Sequence, residues 1–342
     1  MIKAAIVGAT GYAGIELVRL LSLHPEVDLK HLISHSWAGK RLAEVYPQFN
    51  EDRQLKEYDP GLLASCDVVF TALPHGVSQK KAGELYERGV KIVDLSGDFR
   101  YRDCEIYEEW YQCKHEYPQL MKKSVYGLVE INREKIKKAQ LVANPGCYPT
   151  ASILAALPLL KAGILTTDVL TVDAKSGVSG AGRKASRITH YCEVGENVKA
   201  YGIGTHRHTS EIETHLRYFG DSKELQVSFT PHLMPMKRGI LATVYAEMVE
   251  FSQEELVDIY YQYYEDSFFV RVMGEGSPET KHVRNSNFCQ LGVNYDARLS
   301  RAIIVSAIDN LGKGAASQAV QNMNLMFSLP EETGLEQIGV FP

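Results

Sequence analysis

Ile2-Lys3-Ala4-Ala5-Ile6-Val7-Gly8-Ala9-Thr10-Gly11-Tyr12-Ala13-Gly14 decides how the first half of the chain is read. An apolar run from Ala4 to Val7 enters a G-x-x-G-x-x-G turn, and Leu17, Leu20 and Leu21 then recur at the i, i+3, i+4 spacing of a helix face. Strand, glycine turn and helix in that order open a βαβ unit. Glycines permit the tight turn and let a pyrophosphate approach the helix N-terminus, where N–H groups and the dipole favour anions. Glycine also makes ordinary tight turns, so the weight of the pattern comes from its place between the first strand and the first helix. Gly8, Thr10, Gly11, Tyr12, Ala13 and Gly14 become candidate cofactor contacts.

Outward from this turn, short apolar runs at Leu29 to Ile33, Asp67 to Ala72, Val90 to Leu95 and Leu141 to Ala143 alternate with helical patterns, the first helix spanning Gly11 to Leu23. This predicts a doubly wound parallel sheet. Val68-Val69-Phe70 and Ile92-Val93 are continuously apolar, as strands covered on both faces require. After Cys147 the pattern changes. Pro149 to Lys161 reads as a helix with proline in its first turn and Gly163 past its end. Strands at Val169 to Lys175, Val227 to Met234, Ile240 to Met248 and Ala302 to Ile308 predict a mixed sheet with one covered face. Ser252-Gln253-Glu254-Glu255 has the form of a capping box, and a last helix is expected from Gly314 to Met326. The expected fold class is α/β, a Rossmann-type doubly wound domain plus an α+β domain with a mixed sheet.

Composition agrees with two globular domains. The chain has 342 residues, 45% hydrophobic and 23% charged, far from disordered or fibrous compositions. With Lys+Arg 37 against Asp+Glu 42, it lacks the basic surface of a nucleic-acid binder. No apolar stretch approaches the ~20 residues of a membrane span, and the N-terminus runs straight into the first strand with no cleavable signal pattern. A cytoplasmic protein with no membrane and no nucleic-acid partner is expected. Cysteines at 66, 104, 113, 147, 192 and 289 contain no C-x-x-C pair, so neither a disulfide framework nor a zinc ribbon is expected, and no metal site is assigned.

Three segments carry chemistry. Ile33-Ser34-His35-Ser36-Trp37-Ala38-Gly39-Lys40-Arg41 follows the second strand, where an acidic residue would bind the ribose 2′-hydroxyl of NAD. There is none. Ser34, Ser36, Lys40 and Arg41 suit a 2′-phosphate, which favours NADP. Asn144-Pro145-Gly146-Cys147-Tyr148-Pro149-Thr150 places Cys147 at a helix start, where the positive helix end enriches the thiolate. Cys66 precedes a strand and Cys289 lies in the strand-like Asn287 to Val293, so both read as packing, while Cys104, Cys113 and Cys192 sit among charged residues and read as incidental. Gly204-Thr205-His206-Arg207-His208-Thr209-Ser210-Glu211 puts His208 and Glu211 three apart, on one helix face, so that a carboxylate can orient an imidazole that accepts a thiol proton. H-x-H also suits a metal, but no further ligand stands at zinc spacing.

These segments, with Leu73-Pro74-His75-Gly76, Asp98-Phe99-Arg100, Tyr126-Gly127-Leu128-Val129-Glu130, Pro235-Met236-Lys237-Arg238-Gly239 and Asn310-Leu311-Gly312-Lys313-Gly314-Ala315-Ala316, resemble the N-acetyl-γ-glutamyl-phosphate reductases of arginine biosynthesis, in the aspartate-semialdehyde dehydrogenase-like group. The resemblance spans essentially the whole chain. It implies NADPH-dependent reductive dephosphorylation of an acyl phosphate through a Cys147 thioester, with His208 as general acid/base and Glu211 as its partner. His206, Arg100 and Arg238 are then candidate substrate contacts, a guanidinium fork suiting a phosphate or carboxylate. Leu73, Pro74, His75, Ser176, Gly177, Asn310, Lys313 and Gly314 are implied to approach the cofactor. The resemblance also implies that the last helix returns to the first domain, giving 1–145 plus about 314–342 as the NADP-binding part and 146–313 as the catalytic part. A homo-oligomer, dimer or tetramer, is expected. Asn285-Ser286-Asn287 departs from a Gly-Thr-Asn-like pattern but keeps its hydroxyl and amide.

The nearest alternatives are the related aminoadipyl-phosphate or aspartyl-phosphate chemistry. More distant ones are a Cys-His-Glu thiol hydrolase or acyltransferase, or a nucleotide-sensing module without catalysis. The glycine turn speaks against a hydrolase, and Cys147 at a helix start against a mere sensor.

Overall fold

In the computed structural model of the chain, which describes residues 1–50, 52–274 and 276–340, the opening strand β1 (Ile2–Val7) lies inside a seven-stranded parallel sheet, third from one edge. β2 (Val27–Ile33), β3 (Leu55–Lys56), β4 (Val68–Thr71), β5 (Lys91–Asp94), β6 (Val125–Tyr126) and β7 (Leu141–Ala143) complete it in the order β3-β2-β1-β4-β5-β7-β6. Every pairing is parallel. Val68, Val69, Phe70, Ile92 and Val93 are wholly buried, as expected of strands covered on both faces. From β1 the chain builds outward through β2 and β3, then crosses back to β4 on the other side. The order therefore reverses at β1, and ligands of open α/β sheets bind beyond the carboxyl ends of the strands at such a point.

The two-residue strands β3 and β6 are too short to show a period, and sequence reasoning does not find them. The first helix is Tyr12–Leu21, shorter than expected at both ends.

The second sheet is mixed. β8 (Val169–Gly177), β9 (Lys199–Ala200), β10 (Gln226–Met234), β11 (Ile240–Glu247), β12 (Val270–Val272), β13 (Cys289–Asp296) and β14 (Arg301–Ile308) lie in the order β12-β13-β14-β11-β8-β10-β9. Leu170, Val172 and Ala174 of β8, Val227 and Phe229 of β10, and Ile240, Ala242 and Val244 of β11 alternate onto one buried face. The helix Cys147–Ala162 packs on β11 and β14 and is buried from Tyr148 to Leu159, so it has no polar side. Pro158 inside it has no N–H to give the Leu154 carbonyl. Tyr264 supplies the missing donor at 2.5 Å, and the Tyr260 hydroxyl donates to the neighbouring Ala155 carbonyl. The capping box forms as expected: Ser252 Oγ accepts from Glu255 N–H at 3.1 Å and Glu255 Oε2 from Ser252 N–H at 2.8 Å.

The chain divides into two units, 1–145 with 315–336, and 146–314 with the chain from 337 onward. The final segment thus differs from the expected 314–342. Gly314 stays with the second unit because it lies against Cys147, and the tail stays there because Val340 N–H donates to the Arg284 carbonyl at 3.0 Å. The last helix is Ser317–Met326, preceded by a wide turn Gly312–Ala316 in which Gly314 N–H reaches back five residues to the Asp309 carbonyl. All ten residues of that helix are buried. Asn322 Nδ2 donates to the Gly127 carbonyl at 2.8 Å and to Asn144 Oδ1 at 3.0 Å, tying it to the ends of β6 and β7. Among the described residues no helix is long and apolar enough to cross a membrane.

Candidate active site

In the second unit, Gly146 caps the helix in extended backbone and Cys147 is its first residue, half-buried. Gly146 N–H donates to Glu211 Oε1 at 2.8 Å. Glu211 is wholly buried, so this charge-assisted bond ties the segment before Cys147 to the first turn of the helix His208–Gly220. Spacing pointed Glu211 at His208; the tie to Gly146, 65 residues away, is invisible to spacing. Gly314 passes directly over the cysteine: a Cβ there would stand 2.8 Å from Cys147 Cβ. Lys313 beside it is wholly buried, with its amine 5.8 Å from the Phe269 ring.

His208, the first residue of its helix, has its ring 4.9 Å from His206 and 5.9 Å from Tyr148. His206 lies edge-on to Tyr148, Tyr201 and Phe229 at 5.5–5.8 Å. The Tyr148 and Tyr201 hydroxyls bond each other at 3.1 Å. Burial, then the Tyr201 neighbour, pushes the Tyr148 phenol far above its ordinary value. Tyr201 is pushed up to about 12 by burial, helped by the Cys147 charge and opposed by its bond to Tyr148. Both phenols therefore keep their protons at neutral pH. Burial, then the Arg207 charge, holds His206 down to about 4. Sequence reasoning missed Tyr148 and Tyr201. Tyr148 was within the quoted cysteine motif, whereas Tyr201 carries no sequence signal.

The neighbouring loops are held by Asp309 and Asn310. Asn310 accepts from Gly239 N–H at 2.7 Å and donates to Ser179 Oγ at 2.9 Å, joining the segments after β8 and before β11. A Cβ at Gly177 would stand 2.8 Å from the Lys237–Arg238 backbone, so only glycine allows that approach. Ser176, buried near the end of β8, donates its hydroxyl to the Gly177 carbonyl at 3.1 Å. Arg238 lays its fork on the wholly buried Asp309, with Nε 3.0 Å from Oδ2 and Nη2 3.1 Å from Oδ1. Asp309 also accepts from the backbone of Asn285, Leu311 and Gly312.

The cofactor candidates of the first unit form a separate group. Gly8, at φ +90, stands so close to the end of β4 that a Cβ would lie 2.3 Å from the Ala72 carbonyl oxygen. A Cβ on Gly14 would lie 2.1 Å from the Gly8 carbonyl oxygen. Both positions require glycine, and Gly11 caps the Tyr12 helix with no side chain over its N-terminus. A bare helix N-terminus beyond the carboxyl ends of β1 and β4 is a cradle for a pyrophosphate, so the residues present fit a dinucleotide. Thr10 Oγ1 bonds buried Ser34 Oγ at 2.8 Å. Ser36 is exposed, and exposed Lys40 lies 5.0 Å from the Trp37 ring. Arg41 is engaged by Asp52 at 3.1 Å.

Leu73 is half-buried, Pro74 and His75 are exposed, and the His75 ring meets Tyr111 edge-on at 5.3 Å. Asp98 fixes this loop: its carboxylate accepts from the N–H groups of Gly76 at 2.8 Å and Gln79 at 2.9 Å, and from the Tyr107 hydroxyl at 2.8 Å. Arg100 is buried and donates to the Asn144 carbonyl at 2.9 Å and the Leu95 carbonyl at 3.0 Å, bracing the ends of β5 and β7.

Residues 3–139 match the family described as semialdehyde dehydrogenase, NAD binding domain, and 147–310 the semialdehyde dehydrogenase, dimerisation domain. Over the full length of both chains the sequence is 55% identical to the N-acetyl-gamma-glutamyl-phosphate reductase of Halothermothrix orenii and 50% identical to that of Acetivibrio thermocellus. Among solved structures, aspartate semialdehyde dehydrogenase II of Vibrio cholerae in complex with ASA superposes with TM-score 0.74 at 20% identity, covering 96% of this chain and 98% of that one. Aspartate semialdehyde dehydrogenase of Candida albicans with NADP gives 0.71 at 19%, covering 96% and 98%. The chain belongs to the N-acetyl-gamma-glutamyl-phosphate reductase family.

Proposed function

We propose that the protein reduces N-acetyl-γ-glutamyl phosphate to N-acetylglutamate semialdehyde with release of phosphate, using NADPH, in arginine biosynthesis. The observation that carries the chemistry is Cys147 as the first residue of a buried helix, with the His208 ring 5.9 Å from that of the next residue, Tyr148. The positive helix end favours the thiolate, and His208 takes the thiol proton. The thiolate attacks the acyl carbon, the bond to the phosphate oxygen breaks, and a thioester to Cys147 remains. When bound, NADPH supplies the hydride that takes the thioester to the aldehyde level. Collapse releases the aldehyde and returns the sulfur as thiolate, which His208 reprotonates. Glu211 holds Gly146 and so fixes where Cys147 stands.

The glycine turn would hold the pyrophosphate of the cofactor, and Ser34, Ser36 and Lys40 its 2′-phosphate. Leu73, Pro74 and His75 of the first unit, and Ser176, Gly177, Asn310, Lys313 and Gly314 of the second, are assigned to the cofactor as well. Arg238 is assigned to an anionic group of the substrate, because Asp309 already holds its guanidinium in one orientation. Arg100, committed to two backbone carbonyls, is the weaker candidate. The family's dimerisation domain supports a homo-oligomer, and the working enzyme is assigned to the cytoplasm.

The test runs the reaction in reverse, with N-acetylglutamate semialdehyde, phosphate and NADP, following the reduced-nicotinamide absorbance. NADPH formation that needs both phosphate and the acetylated aldehyde is expected. Activity with the aspartate or aminoadipate semialdehyde instead would keep the mechanism and change the substrate. Silence with every aldehyde from folded protein would return the hydrolase reading.

A further inference from the structure

His206 sits in the same cluster as the acid/base residue, yet its surroundings give it different chemistry. The backbone N–H of His208 points at His206 Nδ1 at 3.1 Å. A backbone N–H can only donate, so Nδ1 must be a lone pair and the ring proton must lie on Nε2. The backbone that carries the ring is tied down as well, because His206 N–H donates to the Gly202 carbonyl at 2.8 Å. Protonating the ring would turn Nδ1 into a second donor facing the His208 N–H, and would cost the bond that satisfies the N–H of that helix's first residue.

The groups around the ring work in the same direction. Tyr148 and Tyr201 face it as neutral phenols, Phe229 is apolar, and His208 and the Arg207 cation stand on its own segment. Among the described residues, none of these ring neighbours carries a carboxylate to favour an imidazolium. Burial and Arg207 accordingly hold its acidity far from the physiological range.

We propose that His206 acts as a fixed, uncharged hydrogen-bond donor that presents Nε2–H to a carbonyl oxygen of the substrate and takes no part in proton transfer. A neutral donor of fixed direction recognises a carbonyl oxygen without competing electrostatically for the phosphate leaving group. Of two histidines one residue apart, His208 would carry the proton and His206 the geometry. The proposal rests on the reductase reading for its substrate, but the tautomer stands on the structure alone and is tested separately.

The first arm is ¹⁵N NMR of histidine-labelled protein between pH 8 and 5.5, with His206 assigned by its loss in His206→Gln. A neutral Nε2–H form across the whole range is expected. Protonation within that range, or a proton on Nδ1, overturns the proposal. The second arm compares His206→Gln, whose side-chain amide can place an N–H near the Nε2 position, with His206→Phe, which keeps only shape. Loss of one hydrogen bond predicts a fall of about 10- to 100-fold in kcat/KM for Phe. Gln should restore at least half of that loss on a logarithmic scale, with the pH–rate limbs of the parent kept in both variants. Thermal melting and the rate of Cys147 alkylation check that the cluster is intact in each. Unchanged kcat/KM in a folded Phe variant excludes the donor role, and a lost pH limb in both variants assigns His206 to proton transfer. If the parent oxidises no aldehyde in the reverse assay, the substrate reading fails while the NMR result still judges the tautomer.

Discussion

The two units make their sites from different materials. In the first, the cradle is backbone: Gly8 and Gly14 stand where any Cβ would strike a carbonyl, and the helix N-terminus lies bare. In the second, the site is side chains: Cys147, His206, His208, Tyr148 and Tyr201, drawn from two segments more than 50 residues apart and packed ring against ring. A backbone site is vulnerable to what is added, and a side-chain site to what is removed. That contrast orders the effects of substitution.

The largest effect is expected from Cys147→Ala, which removes the nucleophile. Turnover should fall by about 10⁴-fold or more, while NADPH binding followed by fluorescence stays near that of the parent. A parallel loss of cofactor affinity would mean the two sites are not separable. His208→Asn should cost about 10²- to 10⁴-fold in kcat, the general acid–base contribution; a loss below tenfold would move the proton to another group.

The acid stability of the second unit depends on His206. Above pH 6.5 the ring is neutral in both folded and unfolded chains. Below it the unfolded chain binds a proton that the folded one refuses until about 4. Stability is therefore lost as the pH falls through that window, by on the order of 3 kcal/mol. In urea unfolding at a series of pH values, His206→Phe should fall less steeply than the parent between pH 6.5 and 4, and equal slopes would falsify the assignment.

Gly8→Ala should destabilise by about 1–3 kcal/mol, through its positive φ and the collision with Ala72, and should raise KM for NADPH more than it changes kcat. Thr10→Val, which removes one hydroxyl pair with Ser34 and adds no Cβ, should cost only about 1 kcal/mol in cofactor affinity. If Thr10→Val proves worse than Gly8→Ala, the first site is not a backbone site.

The same contrast explains what the sequence made legible. Gly8, Gly11 and Gly14 carry a backbone requirement in their own identity, and the apolar runs around them show period and cover. Cys147 declares itself through the proline and glycine that frame its helix. By contrast, Glu211 on Gly146, Asp309 on Arg238 and Asp98 on Gly76 are pairings over 22 to 71 residues, and no local pattern announces them. Arg100 and Arg238 look alike as candidate anion binders in sequence. Only the fold shows that one is spent on carbonyls and the other on a carboxylate. The short strands β3, β6 and β9 have two residues each and cannot show a period. Tyr201, beside β9, was hidden for the same reason.

Pro158 bears on the position of the nucleophile. A helix that is apolar on every side could slide along its axis over the sheet with little change in buried area, carrying Cys147 with it. The proline exposes one carbonyl seven residues from the nucleophile, and the hydroxyls of Tyr264 and Tyr260 engage Leu154 and its neighbour Ala155. These two bonds index the rod against the rest of the unit, about two helical turns before its far end. The interruption that looks like a flaw in the helix therefore sets the axial coordinate of the sulfur.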